Sequence, residues 1–278
     1  MSCSQYPSLG VLSLAVLAVI AAGTVLAPWL TPYDPLAMDY ENQLLAPSLA
    51  HPFGTDLFGR DVFSRVLHGS RISLSVGLLA ALLAAVPGLL VGLVSGYYGG
   101  WFDQLVMRLT DLALAFPSLI LALGIVAILD PGLVNVTIAV GLAGIPGYVR
   151  LVRGTVLGVK EALYIEAAQA IGCRDHRIIL RHVLPNILAS VMVLVTMDVA
   201  WAILRATSLS FLGLGAQPPT PEWGAMIDSG REFLRRAPWV SLAPSAVMML
   251  TVLSLNLVGD ALQGVLDPYA GYTQQRKV

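Results

Sequence analysis

Six apolar runs, each near the length needed to cross a bilayer, constrain this chain more than any other feature. They occupy residues 9–27, 72–95, 105–129, 133–149, 187–204 and 240–258. A helix rising 1.5 Å per residue needs about 20 residues to cross ~30 Å of hydrocarbon. Composition agrees: 56% of the 278 residues are hydrophobic, only 12% are charged, and mean hydropathy is +0.77. That is roughly half the charged fraction of a soluble domain, so the excess apolar area must face lipid. The sequence predicts an all-α membrane protein with six transmembrane helices.

The runs divide the chain into an N-terminal span with an extracytoplasmic segment, 1–71, and a core of five spans, 72–278, that contains a polar loop at 150–186. Two further polar stretches, 29–71 and 205–239, lie on the opposite side from that loop. Arg150, Arg153, Lys160, Arg174, Arg177 and Arg181 crowd into 150–186, and a cytoplasmic N-terminus places nine Lys and Arg inside against seven outside. Both termini are therefore expected in the cytoplasm. The first run has no basic residue before it and exceeds a signal-peptide core, so it reads as an uncleaved span. Pro87-Gly88 and Pro117 predict kinks inside the second and third spans, either as packing features or as bends that line a path.

Several chemistries are excluded. Net charge is -1 with no long basic run, so nothing suggests a nucleic-acid partner. A phosphate-cradling loop needs a lysine after a glycine-rich run, yet Lys160 follows Val159 and Lys277 follows Arg276. His51, His68, His176 and His182 all fall outside the runs, so no intramembrane metal site or histidine proton relay can be built from them. Cys3 and Cys173 are too far apart in sequence to suggest a disulfide framework. No nucleophile elbow of the form G-x-S-x-G occurs. No internal duplication is evident, and six spans look like half of a transporter.

Asp198 is an ionisable residue well inside a span. A carboxylate there costs about 2.5–3.5 kcal/mol on insertion scales. It is a substrate-pathway candidate, the titrating group of an autonomous proton-coupled carrier, or a structural group paired with a neighbouring helix or a partner subunit.

The most informative loop runs from Lys160 to Asn186. Residues 160–171 are rich in helix formers, Gly172 permits a left-handed stop, and a second short helix is expected to end before Pro185. Ala167 and Ala168 allow a partner to approach closely, with Glu166 as a charged acceptor at the rim; a helix pair lying on lipid is the competing reading. Glu166-Ala167-Ala168, then Gly172, then Leu184-Pro185 resemble the EAA loop of bacterial ATP-binding-cassette (ABC) importer permeases. His182 stands where that pattern has isoleucine. Residues 51–65, residues 208–224 and the tail from Asn256 to Pro268 look like the oligopeptide/dipeptide/nickel permease family. On chemistry alone, Gly213, Gly215 and Pro218-Pro219 mark a turn, and Trp223 is placed to anchor at the membrane interface.

That resemblance implies a type I ABC importer permease fold in the bacterial inner membrane, in a subunit that is not an enzyme. It implies a heterodimer with a homologous permease, two ATPase subunits and an extracytoplasmic solute-binding protein. No cofactor is expected in this chain, because ATP and Mg sit on the ATPases. Glu166, Ala167, Ala168, Gly172, Leu184 and Pro185 are then the ATPase-coupling residues, and 208–224 contributes to a surface for the binding protein or the sister permease. The expected cargo is a dipeptide or oligopeptide, with glutathione or a nickel chelate as the alternative.

Overall fold

The structure, a computed structural model, describes residues 6–266. Cys3, Lys277 and the tail motif at Asp267-Pro268 lie outside the described residues. The helices are α1 Tyr6–Leu30, α2 Val62–Tyr98, α3 Gly100–Leu114, α4 Ser118–Leu129, α5 Leu133–Lys160, α6 Leu163–Ala170, α7 Asp175–Ile178, α8 Leu184–Phe211, α9 Trp223–Gly230 and α10 Trp239–Leu266. A π-helical turn, Ile179–Val183, joins α7 to α8. Five helices are long and apolar enough to span a membrane, and α3 with α4, bent by 93° at the break between them, adds a sixth when the pair is counted as one span.

The centre of the bundle is the contact between α2 and α5, flanked by α4 and α8, while α1 packs outside against α10 and α2. Small residues recur at every fourth position along α2, at Ala80, Ala84, Gly88, Gly92 and Gly96. They let α5 approach to backbone distance. A Cβ added at Gly92 would meet the Val149 carbonyl oxygen at 2.8 Å, and one at Gly88 would meet Tyr148 Cβ at 2.3 Å. In lipid, burying apolar area between helices yields little, so close van der Waals contact of this kind holds spans together.

Several expectations change. The third span breaks at Pro117 rather than kinking, since proline lacks a donor and pushes its predecessor out of the helical region. By contrast, α2 runs through Pro87 as one helix, and because it begins at Val62 the expected division after residue 71 falls inside it. The fourth span continues beyond Val149 to Lys160, which makes Arg150 and Arg153 helical rather than loop residues. Both pair with α3: Arg153 donates to Asp103 at 2.5 and 2.6 Å, and Arg150 bonds Asp111. The fifth span likewise extends past Leu204, so Arg205 shares α8 with Asp198.

On the side away from the 150–186 loop, segments 31–61 and 212–222 fold onto the ends of the spans. Asp61 caps α2 by accepting from the Ser64 N–H at 2.7 Å. Arg60 donates to Asp56 at 2.7 Å, and Arg65 donates to the carbonyls of Pro35 at 2.8 Å and Pro219 at 3.4 Å, tying both segments to α2. Trp223 is 0% exposed and donates to the Val66 carbonyl at 3.2 Å. It therefore does not sit at the membrane interface as expected: its indole N–H reaches a backbone acceptor, which removes the reason for it to stay wet. Glu222, also buried, caps α9 by accepting from the N–H groups of Gly224 and Ala225 at 2.9 and 3.0 Å.

The α2–α5 contact gives a direct test. Gly92→Val should lower stability in detergent by about 1–3 kcal/mol through overpacking, whereas Gly124→Ala, whose added Cβ meets nothing within 4 Å, should leave the unfolding midpoint unchanged. Thermal unfolding of the two purified variants reads the difference.

Candidate coupling surface and cavity-facing ion pair

The 150–186 loop is a helical elbow. α6 ends in a Schellman motif: the Cys173 N–H bonds the Ala168 carbonyl at 3.0 Å and the Gly172 N–H bonds the Gln169 carbonyl at 2.9 Å. The motif needs a left-handed residue after the helix, and Gly172 supplies it with φ of +81°. The stop expected before Pro185 does not occur. Residues 175–211 form one continuous helical run, in which Pro185 cannot donate to the carbonyl one turn back. The π turn absorbs that mismatch, with the Leu184 N–H reaching the Ile179 carbonyl.

The structure separates the coupling candidates by face. Glu166 and Ala167 are exposed, beside Leu163 and Ile171, which are 81% and 82% exposed. Ala168 is buried, in a cluster with Leu93, Val152, Ile165 and Ile187. That corrects its expected place on the partner-facing side: it fastens α6 to the bundle instead. Leu184 packs against the same cluster, and Pro185 is exposed at the start of α8. His182 lies in ring contact with Tyr164, centroids 6.4 Å apart, joining the two arms of the elbow.

Sequence reasoning missed the residue that anchors this elbow. Tyr97, at the end of α2, donates its hydroxyl to Asp175 at 2.9 Å, and its carbonyl accepts from Lys160 Nζ at 2.7 Å. Helices α2, α5 and α7 therefore meet at one residue. No local signal marks a lone tyrosine at a helix end for this role.

The second feature lies at the midpoint of α8. Arg205 Nη2 donates to Asp198, and Arg205 Nε donates to the Trp201 carbonyl at 3.2 Å. The Tyr148 hydroxyl of α5 donates to the other Asp198 oxygen at 3.3 Å. Both charged side chains are 13% exposed. They open onto a cavity of about 440 Å³ whose wall includes Ser118, Leu119, Trp201 and Ser208. An ion pair at mid-span must face the bundle interior or a watery cavity rather than lipid. Asp198 is thus both paired and cavity-lining: its charged partner comes from its own helix, two turns on, and the neighbouring α5 supplies the Tyr148 hydroxyl.

A bundle of spanning helices with an ion pair at the wall of a cavity beside the middle of α8, and an exposed helical elbow at one end, has the architecture of a membrane transport subunit. The model of the binding-protein-dependent transport system inner membrane component matches residues 88–271, and that of the N-terminal TM domain of oligopeptide transport permease C matches residues 8–47. Over 254 residues the chain is 50% identical to the glutathione transport system permease protein GsiD of Shigella flexneri serotype 5b (strain 8401). It is 48% identical to the proteins of the same name from Shigella dysenteriae serotype 1 (strain Sd197) and Escherichia coli O157:H7. Each match covers 91% of this chain and 83% of the relative. The chain therefore belongs to the binding-protein-dependent inner-membrane permeases, the multi-pass, non-enzymatic subunits of ABC importers. That membership sets aside the autonomous proton-coupled carrier built on Asp198.

Two substitutions test the division of faces. Ala168→Leu, which overfills the buried cluster, should destabilise the chain by about 1–3 kcal/mol. Ala167→Arg, on the exposed face, should leave thermal unfolding unchanged; under the coupling role that the Glu-Ala-Ala resemblance implies, it should also weaken co-purification of the ATPase subunits by about tenfold or more.

Proposed function

We propose that this chain forms one half of the pore of a glutathione importer, working with a homologous permease, two ATPase subunits and an extracytoplasmic solute-binding protein. The 48–50% identity over 91% of the chain to permeases named for glutathione transport carries the substrate reading. It favours the glutathione alternative over the dipeptide or oligopeptide cargo that the family resemblance put first, and over a nickel chelate. Glutathione is itself a short peptide, so the change is one of cargo within a shared pore design.

In this reading both termini and the elbow face the cytoplasm, where Lys160, Arg174, Arg177 and Arg181 cluster, in keeping with the positive-inside bias. Glu166 and Ala167, flanked by Leu163 and Ile171, enter a groove on an ATPase subunit. ATP and Mg stay on that subunit. ATP-driven closure of the ATPases displaces the elbow as a unit, because Ala168 and the Schellman turn lock α6 and Tyr97 ties α7 to α2 and α5. Gly172, Leu184 and Pro185 set the angle at which the push enters α8. The movement reaches the α8 cavity through a continuous helix, and the pore opens alternately to the two sides without covalent chemistry in this chain.

Reconstitution of the whole complex in proteoliposomes checks the cargo. ATP-dependent accumulation of labelled glutathione should exceed that of a dialanine probe by about tenfold, the order of discrimination that a missing set of polar contacts produces. The opposite ranking would return the cargo to simple dipeptides.

A further inference from the structure

The Asp198–Arg205 pair is expensive to maintain for structure alone. It lies at mid-span, it lines an open cavity, and it is incompletely satisfied. Arg205 uses Nε on the Trp201 carbonyl and Nη2 on Asp198. Its other N–H donors have no protein partner among the described residues. Asp198 is steadied from behind by the Tyr148 hydroxyl, and the exposed indole of Trp201 lies on the same wall. A buried pair of this kind adds little stability over an apolar replacement, which leaves its exposure to the cavity to be explained.

We infer that Asp198 and Arg205 are the receiving site for the amino-acid head of the cargo, the carbon that carries both an ammonium and a carboxylate. The inference rests on the glutathione reading, because the γ-glutamyl end of glutathione presents those two charges on one carbon, whereas a dialanine places them at opposite ends. A contact ion pair matches the first spacing. As the cargo enters, its carboxylate takes the free guanidinium donors of Arg205, and its ammonium takes the Asp198 oxygen. The internal pair is exchanged for two external ones. The head is itself neutral, so the exchange adds no net charge at the pair and leaves neither Asp198 nor Arg205 without a counter-charge; the negative charge that glutathione retains sits on its glycyl carboxylate, at the other end of the cargo. The bidentate geometry of guanidinium and carboxylate favours arginine over lysine in this place. Tyr148 is a positioning residue that keeps Asp198 aimed while its partner changes.

The test uses the complete reconstituted importer with one binding protein throughout, so that any change in selectivity belongs to the permease. Labelled glutathione is compared with its desamino analogue, glutaryl-cysteinylglycine, while ATP hydrolysis is measured in parallel. In the unsubstituted complex the analogue should enter about tenfold more slowly, and Asp198→Asn should bring the glutathione-to-analogue ratio to about one. Because either single substitution strands the partner's charge, the double variant Asp198→Asn/Arg205→Gln removes both charges and keeps the bundle neutral. It should lose about tenfold in glutathione uptake with ATP hydrolysis and complex assembly retained. Full uptake and an unchanged ratio in the double variant would overturn the inference while leaving the glutathione reading intact. No uptake of glutathione by the unsubstituted complex would remove the cargo reading, and the inference with it.

Discussion

The close approach of α2 and α5 is the constraint on which the rest of this structure depends. Gly88, Gly92 and Gly96 present bare backbone to Tyr148, Val149, Val152 and Val156, and no hydrophobic gain from water is available inside a bilayer to replace that contact. The cavity and the elbow both hang on these two helices. α5 carries Tyr148 to the mid-span ion pair and Arg150 and Arg153 to α3, and it ends at Lys160 against Tyr97 of α2. A larger residue in the glycine ladder would therefore disturb the cavity and the elbow together.

The elbow is rigid because its backbone groups and its inner face are both satisfied. A short helix such as α6 would fray alone, yet its last carbonyls are bonded in the Schellman turn and its inner face is buried through Ile165 and Ala168. The π turn before α8 has a related effect. It lets proline occupy the second position of a long helix without breaking the run, so a displacement at the elbow end reaches the middle of α8 through one continuous element. A flexible loop at either place would dissipate such a displacement.

Much of the chain was legible because membrane solvent leaves few options. Length and apolarity alone mark five spans and the stretch that folds as the bent α3–α4 pair, and the Glu166–Pro185 spacing marks the elbow and its glycine stop. The spans that extend beyond their apolar runs share one cause. A rise in polarity marks a span end in sequence, but Arg150, Arg153 and Arg205 remain helical because each finds a carboxylate, on α3 for the first two and on α8 for the third. An amphipathic indole after a Gly/Pro turn suits an interfacial anchor, whereas a backbone acceptor on α2 draws Trp223 inside. Pro87 and Pro117 look alike in sequence, yet the first sits in a helix packed tightly against α5 and the second opens the break between α3 and α4.

By itself the sequence determined that this chain spans a membrane as a set of apolar helices and carries a Glu-Ala-Ala elbow with a glycine stop. Those follow from local chemistry, in which hydropathy, helix propensity and glycine stereochemistry act within a few residues. Only the tertiary structure decided that Ala168 faces inward while Glu166 and Ala167 face out, that Tyr97 joins three helices, and that Asp198 meets Arg205 and Tyr148 at the wall of one cavity. Each of these depends on how far neighbouring helices extend and how closely they pack, and that is set by contacts between residues tens of positions apart.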